Sequence, residues 1–268
     1  MGEYTETYRG CVRAWECDTT EHFTTAFYFE RLAQAAYRLL GGRCARTLDC
    51  HVLYRREFNR GDIFHIDSGI IRADDTGLLL GHRFVDSATG ETCTVGEQLV
   101  EAVDGIETAG LSVDWDEPER KVRPPVSDHA TWLPTAADVV LPGEVDWFGG
   151  LSLEGMVHRL STAALQCESY LGLTPALLRE ERLGFSTFEF QMSFPSPPPT
   201  VGEQLEVHSA VAHVGSSSVR MVHRLRRVDG GGEVAILSQM GVNLNLDARR
   251  PQALSDEVAA RARALLAA

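Results

Sequence analysis

The sequence predicts an α+β fold in which one strand-helix-four-strand unit occurs twice, and three observations carry that reading. The chain matches itself: Glu30-Arg31-Leu32-Ala33-Gln34-Ala35-Ala36 aligns with His158-Arg159-Leu160-Ser161-Thr162-Ala163-Ala164 at an offset of 128, which also sets Asp18 on Asp146. Further on, Gly61-Asp62-Ile63-Phe64-His65-Ile66 matches Gly202-Glu203-Gln204-Leu205-Glu206-Val207, and His82-Arg83-Phe84 matches His223-Arg224-Leu225, both at 141. In each half an apolar stripe of helical period precedes runs of strand character divided by turn residues. With 268 residues, 44% hydrophobic and 24% charged, the chain is globular and long enough for one large core or two smaller ones.

The first strand is expected over 8–15. Tyr28, Leu32, Ala35, Ala36 and Leu39 then fall at i, i+4, i+7, i+8 and i+11, one face of an α-helix, and Gly41-Gly42 supplies a left-handed cap. Alanines on that face let it lie close to a sheet. Strands follow over 51–58, 63–72, 78–85 and 92–103, separated by Arg60-Gly61-Asp62, Asp74-Asp75-Thr76-Gly77 and Thr89-Gly90. The second half repeats the order, with a helix over 154–171 and strands over 186–194, 204–214, 218–228 and 234–245. The two offsets differ, so residues have been inserted. The proline-rich Phe194-Pro195-Ser196-Pro197-Pro198-Pro199 is the expected place, because proline donates no ladder hydrogen bond. Residues 105–140, with Pro118, Pro124, Pro125 and Pro134, read as the connection, and an Ala- and Arg-rich helix over 255–266 as an outer addition. The units are therefore 1–105, a linker over 106–138, a second unit over 139–250, and a terminal helical segment over 251–268.

Charge excludes several function classes. A net charge of −13 repels phosphate backbones and anionic head groups, so neither nucleic acid nor a membrane is expected as a partner. Lys121 is the sole lysine, in Glu119-Arg120-Lys121-Val122-Arg123-Pro124-Pro125, which removes phosphate-loop chemistry and leaves Schiff-base chemistry one candidate in a linker. Cys11, Cys17, Cys44, Cys50, Cys93 and Cys167 form no Cys-x-x-Cys, and no basic-then-apolar leader opens the chain, which reads as reduced thiols in a cytoplasmic protein. No metal-ligand spacing occurs among the nine histidines, so no metal is expected. No Gly-x-Gly-x-x-Gly follows a strand, and Gly150-Leu151-Ser152-Leu153-Glu154-Gly155 lacks the glycine a nucleophile elbow needs at position 154.

The segment Trp15-Glu16-Cys17-Asp18-Thr19-Thr20-Glu21-His22-Phe23-Thr24-Thr25-Ala26-Phe27-Tyr28 resembles the active-site segment of 4-hydroxybenzoyl-CoA-thioesterase-like hotdog proteins. These carry an aspartate, a Gly-His pair, one or two asparagines and a tyrosine at the helix start. Asp18, His22 and Tyr28 stand at the corresponding places, whereas Glu21 replaces the usual glycine and Thr24 and Thr25 the common asparagines. The resemblance implies a tandem double hotdog, each unit a long helix wrapped by an antiparallel sheet. It further implies a thioesterase acting on an acyl-CoA or acyl-carrier-protein thioester without a cofactor of its own, coenzyme A or phosphopantetheine arriving as part of the substrate. The assembly expected is a monomeric pseudo-dimer or a homo-oligomer.

Thioester hydrolysis needs a group that attacks or activates water and donors aimed at the carbonyl oxygen as it gains charge. Asp18 is the expected nucleophile or general base, His22 its catalytic neighbour, and backbone amides around Phe23, Thr24 and Thr25 the oxyanion donors. Tyr28 and Glu57 are expected to line the substrate site, and Glu21 to bring like charge towards Asp18. Plainer readings stand beside these. Asp-x-x-Glu before a helix is a capping box, Tyr28 belongs to the core stripe, Glu30 reads as solvated or interfacial, and Arg55, Arg56 and Arg60 either meet coenzyme A phosphates or are surface. In the second half His22 becomes Gly150, Thr24 Ser152, Thr25 Leu153 and Tyr28 Met156, so only Asp146, with Glu154 one turn into the helix, suggests a second site. A hotdog lyase and a non-catalytic acyl- or carrier-binding module are the competing functions.

Overall fold

The computed structural model describes residues 2–18, 21–248 and 250–266. Internal contacts divide the chain into two compact units, Met1–Lys121 with Ser152–Val157, and Val122–Leu151 with His158–Ala268. The first holds β1 (Thr5–Cys11), α1 (Thr25–Leu39), β2 (Thr47–Tyr54), β3 (Ile63–Asp74), β4 (Gly77–Asp86) and β5 (Thr92–Val100). Its strands lie in the order β1-β3-β4-β5-β2, antiparallel throughout. The second holds β6 (Leu133–Val139), α2 (Leu153–Tyr170, its first turn counted with the first unit), α3 (Pro175–Glu180), β7 (Leu183–Ser193), β8 (Gln204–Val214), β9 (Ser218–Arg227), β10 (Glu233–Asn245), β11 (Arg250–Pro251) and α4 (Asp256–Ala264). Its order is β6-β8-β9-β10-β7, with β11 paired to β10.

The helical stripe is buried as its period requires. Tyr28, Leu32, Ala35, Ala36 and Leu39 all face inward, and Ala36, Leu39 and Leu40 pack with Ile70, Leu78, Leu80 and Val100. Gly41 and Gly42, at φ +64° and +80°, end α1 in the left-handed conformation that glycine adopts without a Cβ penalty. In the second unit Ala164 and Cys167 of α2, with Leu171 just past its end, meet Val211, Val219 and Met221, and Val258, Ala259 and Ala262 of α4 join that core. The terminal helix therefore completes a core.

Four local expectations are corrected. Residues 133–139, read as connection, form β6, which pairs with β8; Pro134 and the polar flanks hide its strand character. The first strand runs over Thr5–Cys11 and not 8–15, and the second over Thr47–Tyr54 and not 51–58, so Glu57 sits in a loop. The insertion lies before β7, not at the prolines. Thr47 and Thr187 make the same bond to Gln98 and Gln239, so the offset is already 140 there, and the added residues, α3 among them, fall between α2 and β7. The proline loop adds only one more.

Both units carry the same transverse polar chain, one residue from each of five strands. In the first, Thr7 Oγ1 lies 2.7 Å from Ser68 Oγ, Ser68 Oγ 2.8 Å from His82 Nδ1, and the Gln98 amide 2.8 Å from Thr47 Oγ1. In the second, Thr135, Ser209, His223, Gln239 and Thr187 repeat it at 2.7, 2.6 and 2.7 Å. Thr7 Oγ1 also lies 3.1 Å from the Ile66 carbonyl and Thr135 Oγ1 3.1 Å from that of Val207, which ties the outer end of each chain to the backbone. Burial pushes both imidazoles down to about 4, against a smaller upward pull from Gln98 and Gln239. A one-residue slip of any strand would carry its member to the other face, so the chain fixes register in a way apolar contacts do not.

Candidate functional site

A short 3₁₀ turn at Ala14–Glu16 brings the chain from β1 to the motif loop, and the loop is held from both ends. Glu16 is buried and ion-paired with the buried Arg31 of α1, while its second carboxylate oxygen accepts from the Arg13 amide at 2.8 Å. The second unit repeats this lock: Glu144 accepts from Arg159 at 2.9 Å and from the Leu141 amide at 2.8 Å. A feature present in both units belongs to the fold. What differs between them marks the candidate site.

Asp18 closes the loop. Its amide donates to the His22 carbonyl at 2.9 Å, and its Oδ1 accepts from the His22 amide at 3.1 Å. The carboxylate is exposed. The capping-box reading is overturned, because α1 begins at Thr25 with Thr24 as its N-cap, well past Asp18. Thr19 and Thr20 lie outside the described residues. Glu21 does not turn to Asp18; it pairs with Arg60 at 3.2 Å and holds φ +66°, a region that disfavours a side chain.

His22 bridges to Asn59, and its Nδ1 lies 3.1 Å from Glu57 Oε2, the two side chains being 21% and 34% exposed. This contact joins predicted site residues from separate segments of the chain. The Phe23 amide is taken by the Phe58 carbonyl at 2.8 Å and that of Thr24 by Glu16 at 2.9 Å, so these two do not serve as oxyanion donors. Phe23 itself is core, 4.6 Å from the Tyr28 ring and 5.7 Å from that of Phe64. Tyr28 is buried in the same cluster, and its hydroxyl accepts from the Phe58 amide at 3.3 Å, which pins the loop carrying Glu57. Burial holds that phenol far above its ordinary range. Thr24 and Thr25 are half-buried at the helix start.

Glu30, expected as solvated or interfacial, is half-buried, ion-paired with Arg31 and bonded to Gln34 at 2.8 Å, and burial, with Glu154 adding like charge, raises its carboxyl. Arg55 pairs with Glu117, Arg60 with Glu21, and Arg56 with Asp86 and Glu91. Of these partners only Gln34, four residues on from Glu30, follows a spacing that is visible in sequence.

In the second unit Asp146 repeats the loop closure, accepting from the Phe148 amide at 2.8 Å and from that of Gly150, and burial raises its carboxyl. The histidine-glutamate contact is gone. Gly150 stands for His22 and Pro198 for Glu57, and the two now pack so closely that a Cβ at position 150 would lie 2.8 Å from Pro198. Ser152 caps α2 through the Gly155 amide at 3.0 Å, and Glu154 is in its first turn. Among the described residues no three His, Cys, Asp or Glu side chains converge to hold a metal ion.

The sequence profile of the thioesterase-like superfamily matches residues 12–129 and again 140–262. The chain belongs to the thioesterase-like superfamily. Its two matched segments are the two repeats, and the fold is the tandem double hotdog. Among solved structures, an acyl-ACP thioesterase from Bacteroides thetaiotaomicron VPI-5482 superposes with a TM-score of 0.66 over 87% of this chain and 96% of that one, at 11% identity. The 12:0-ACP thioesterase from Umbellularia californica gives 0.63 over 91% and 93%, at 14%. At such identities the likeness is one of fold. No curated protein matches the sequence, and among the described residues no helix is long and apolar enough to cross a membrane.

Proposed function

We propose that this superfamily member hydrolyses an acyl thioester of coenzyme A or of an acyl-carrier protein, at the first unit's motif loop. The observation that carries the reading is the 3.1 Å contact between His22 and Glu57, absent from the second unit although the surrounding loop closure and the buried ion pair are kept. Glu57 orients the imidazole through its contact with Nδ1, so that Nε2 takes a proton from water as the water oxygen attacks the thioester carbon. The first-turn amides of α1 stabilise the oxyanion, the carbon-sulfur bond breaks, and the imidazolium returns the proton to the thiolate. Asp18 holds the His22 backbone and supplies a carboxylate to direct the water, or attacks as the nucleophile, displacing the thiolate to form a mixed anhydride that water then hydrolyses. The products are a carboxylic acid, which ionises to its carboxylate and a proton, and a free thiol, which together account for every atom of thioester and water.

Release of free thiol from a panel of acyl-CoA and acyl-pantetheine substrates, by the wild type and by Asp18→Asn, tests this. Release that the variant loses supports hydrolysis with Asp18 in it. Tight binding without release from any substrate overturns the reading in favour of a binding module, and enoyl absorbance changes without thiol overturn it in favour of a lyase.

A further inference from the structure

Glu57 has no secondary structure of its own, yet its carboxylate must hold position against His22. The residue before it does the holding. Arg56 Nε donates to Glu91 Oε2 at 2.9 Å, its NH2 group to Asp86 Oδ2 at 2.5 Å and to Cys93 Sγ at 2.9 Å, and NH1 lies 3.8 Å from Asp62 Oδ2. The guanidinium also sits 5.5 Å from the Phe58 ring centre, and the Arg55 and Arg56 amides both donate to the Cys93 carbonyl. Asp86 is itself fixed, accepting from the Ala88 and Thr89 amides, and its carboxyl is held below the ordinary range by those amides and by Arg56, which outweigh its burial. Arg56 thus ties the loop to the β4-β5 hairpin on one side of Glu57, as Phe58 ties it to the core on the other.

The second unit shows that this anchoring is a separable device. There the guanidinium stands on the opposite side: Arg227, the counterpart of Asp86, reaches Glu203, the counterpart of Asp62, at 2.6 Å, and bonds Ser196 Oγ at 3.1 Å and the Pro197 carbonyl at 2.8 Å. Proline occupies the Arg56 place. Both loops are clamped to their hairpins, but only the first unit places the clamp on the residue bonded to Glu57.

We propose that Arg56 is a positioning residue for hydrolysis, acting through Glu57 on the orientation of His22. The proposal rests on the reading of His22 and Glu57 as the reacting pair. A guanidinium with several fixed acceptors, joined by one peptide bond to the carboxylate it serves, restricts that carboxylate more than a lysine would.

The test is a double-mutant cycle on purified protein with the best acyl-CoA substrate, reading kcat, KM and Tm for Arg56→Gln, Arg56→Lys, Glu57→Gln and Arg56→Gln/Glu57→Gln. The expected result is a kcat lowered roughly 10- to 100-fold by Arg56→Gln with KM changed by less than about twofold, and partial recovery in Arg56→Lys. In the Glu57→Gln background the Arg56→Gln effect should vanish, since there is no carboxylate left to place. A full Arg56→Gln loss persisting in that background identifies a general structural role and overturns the proposal. So does wild-type kcat in Arg56→Gln while Glu57→Gln and His22→Ala are impaired. Wild-type kcat in both Glu57→Gln and His22→Ala overturns the underlying reading of the reacting pair instead. If Arg56→Gln does not fold, Arg56→Ala/Asp86→Arg, which imports the second unit's wiring, replaces it in the cycle.

Discussion

His22 Nδ1 and Glu57 Oε2, 35 positions apart in sequence, lie 3.1 Å from each other beside the start of α1. The contact needs the bridge from His22 to Asn59 on one side and the bond from Phe58 to Tyr28 on the other, so the loop and the helix are built to meet there.

Removing either partner should be felt in turnover more than in binding. His22→Ala and Glu57→Gln are expected to lower kcat roughly 100-fold or more, the usual span of a lost general base or its orienting group. Steady-state kinetics on the substrate that releases thiol fastest checks this. Undiminished turnover in both variants would remove the pair from the mechanism.

Glu21 at φ +66° occupies the place that Gly149, at φ +79°, fills in the second unit. A side chain in that region costs about 1 kcal/mol, and the exposed pair with Arg60 returns little of it. Glu21→Gly should therefore raise stability by at most about 0.5 kcal/mol, since the added freedom of glycine in the unfolded chain offsets part of the relief. Thermal melts settle it; a lower Tm for the variant contradicts the argument.

Acid should destabilise the protein through the two polar chains. His82 and His223 are held at about 4 in the folded state against 6.5 unfolded, so their contribution is complete above pH 6.5 and is lost as pH falls from there towards 4. The loss is on the order of 3 kcal/mol for each histidine at full charge. Urea titrations at pH 7 and at pH 4.5 measure it in the wild type and in His82→Gln/His223→Gln, whose decline over that range should be shallower.

Glu168 acts in the opposite sense. It stands in α2 where the first unit has Leu40, and burial alone raises its carboxyl to about 8 from 4.5. The unfolded chain ionises above pH 4.5 while the folded one keeps the proton, so stability falls as pH rises from 4.5 to 8, by on the order of 5 kcal/mol in all. Glu168→Leu should gain most of that at pH 8 and little of it at pH 4.5. A gain equal at both values would show that packing, not ionisation, is the cause.

The sequence by itself determined the fold and the repeat. Tyr28, Leu32, Ala35, Ala36 and Leu39 fall on one helical face, and the His82 and His223 strands recur at a fixed offset, because helix period, strand alternation and duplication are properties of neighbours in sequence. It also brought Asp18, His22 and Tyr28 to notice as one segment. Only the tertiary structure decided what each touches. It took Asp18 out of the helix cap, put Phe23 in the core, gave the Phe23 and Thr24 amides to other carbonyls, and set Glu57 against His22 with Arg56 behind it. These are contacts between residues far apart in the chain, where the number of possible partners is large and no local period selects among them. Strand pairing closes the loops that select them, and that pairing also revealed β6 under a proline that masked it.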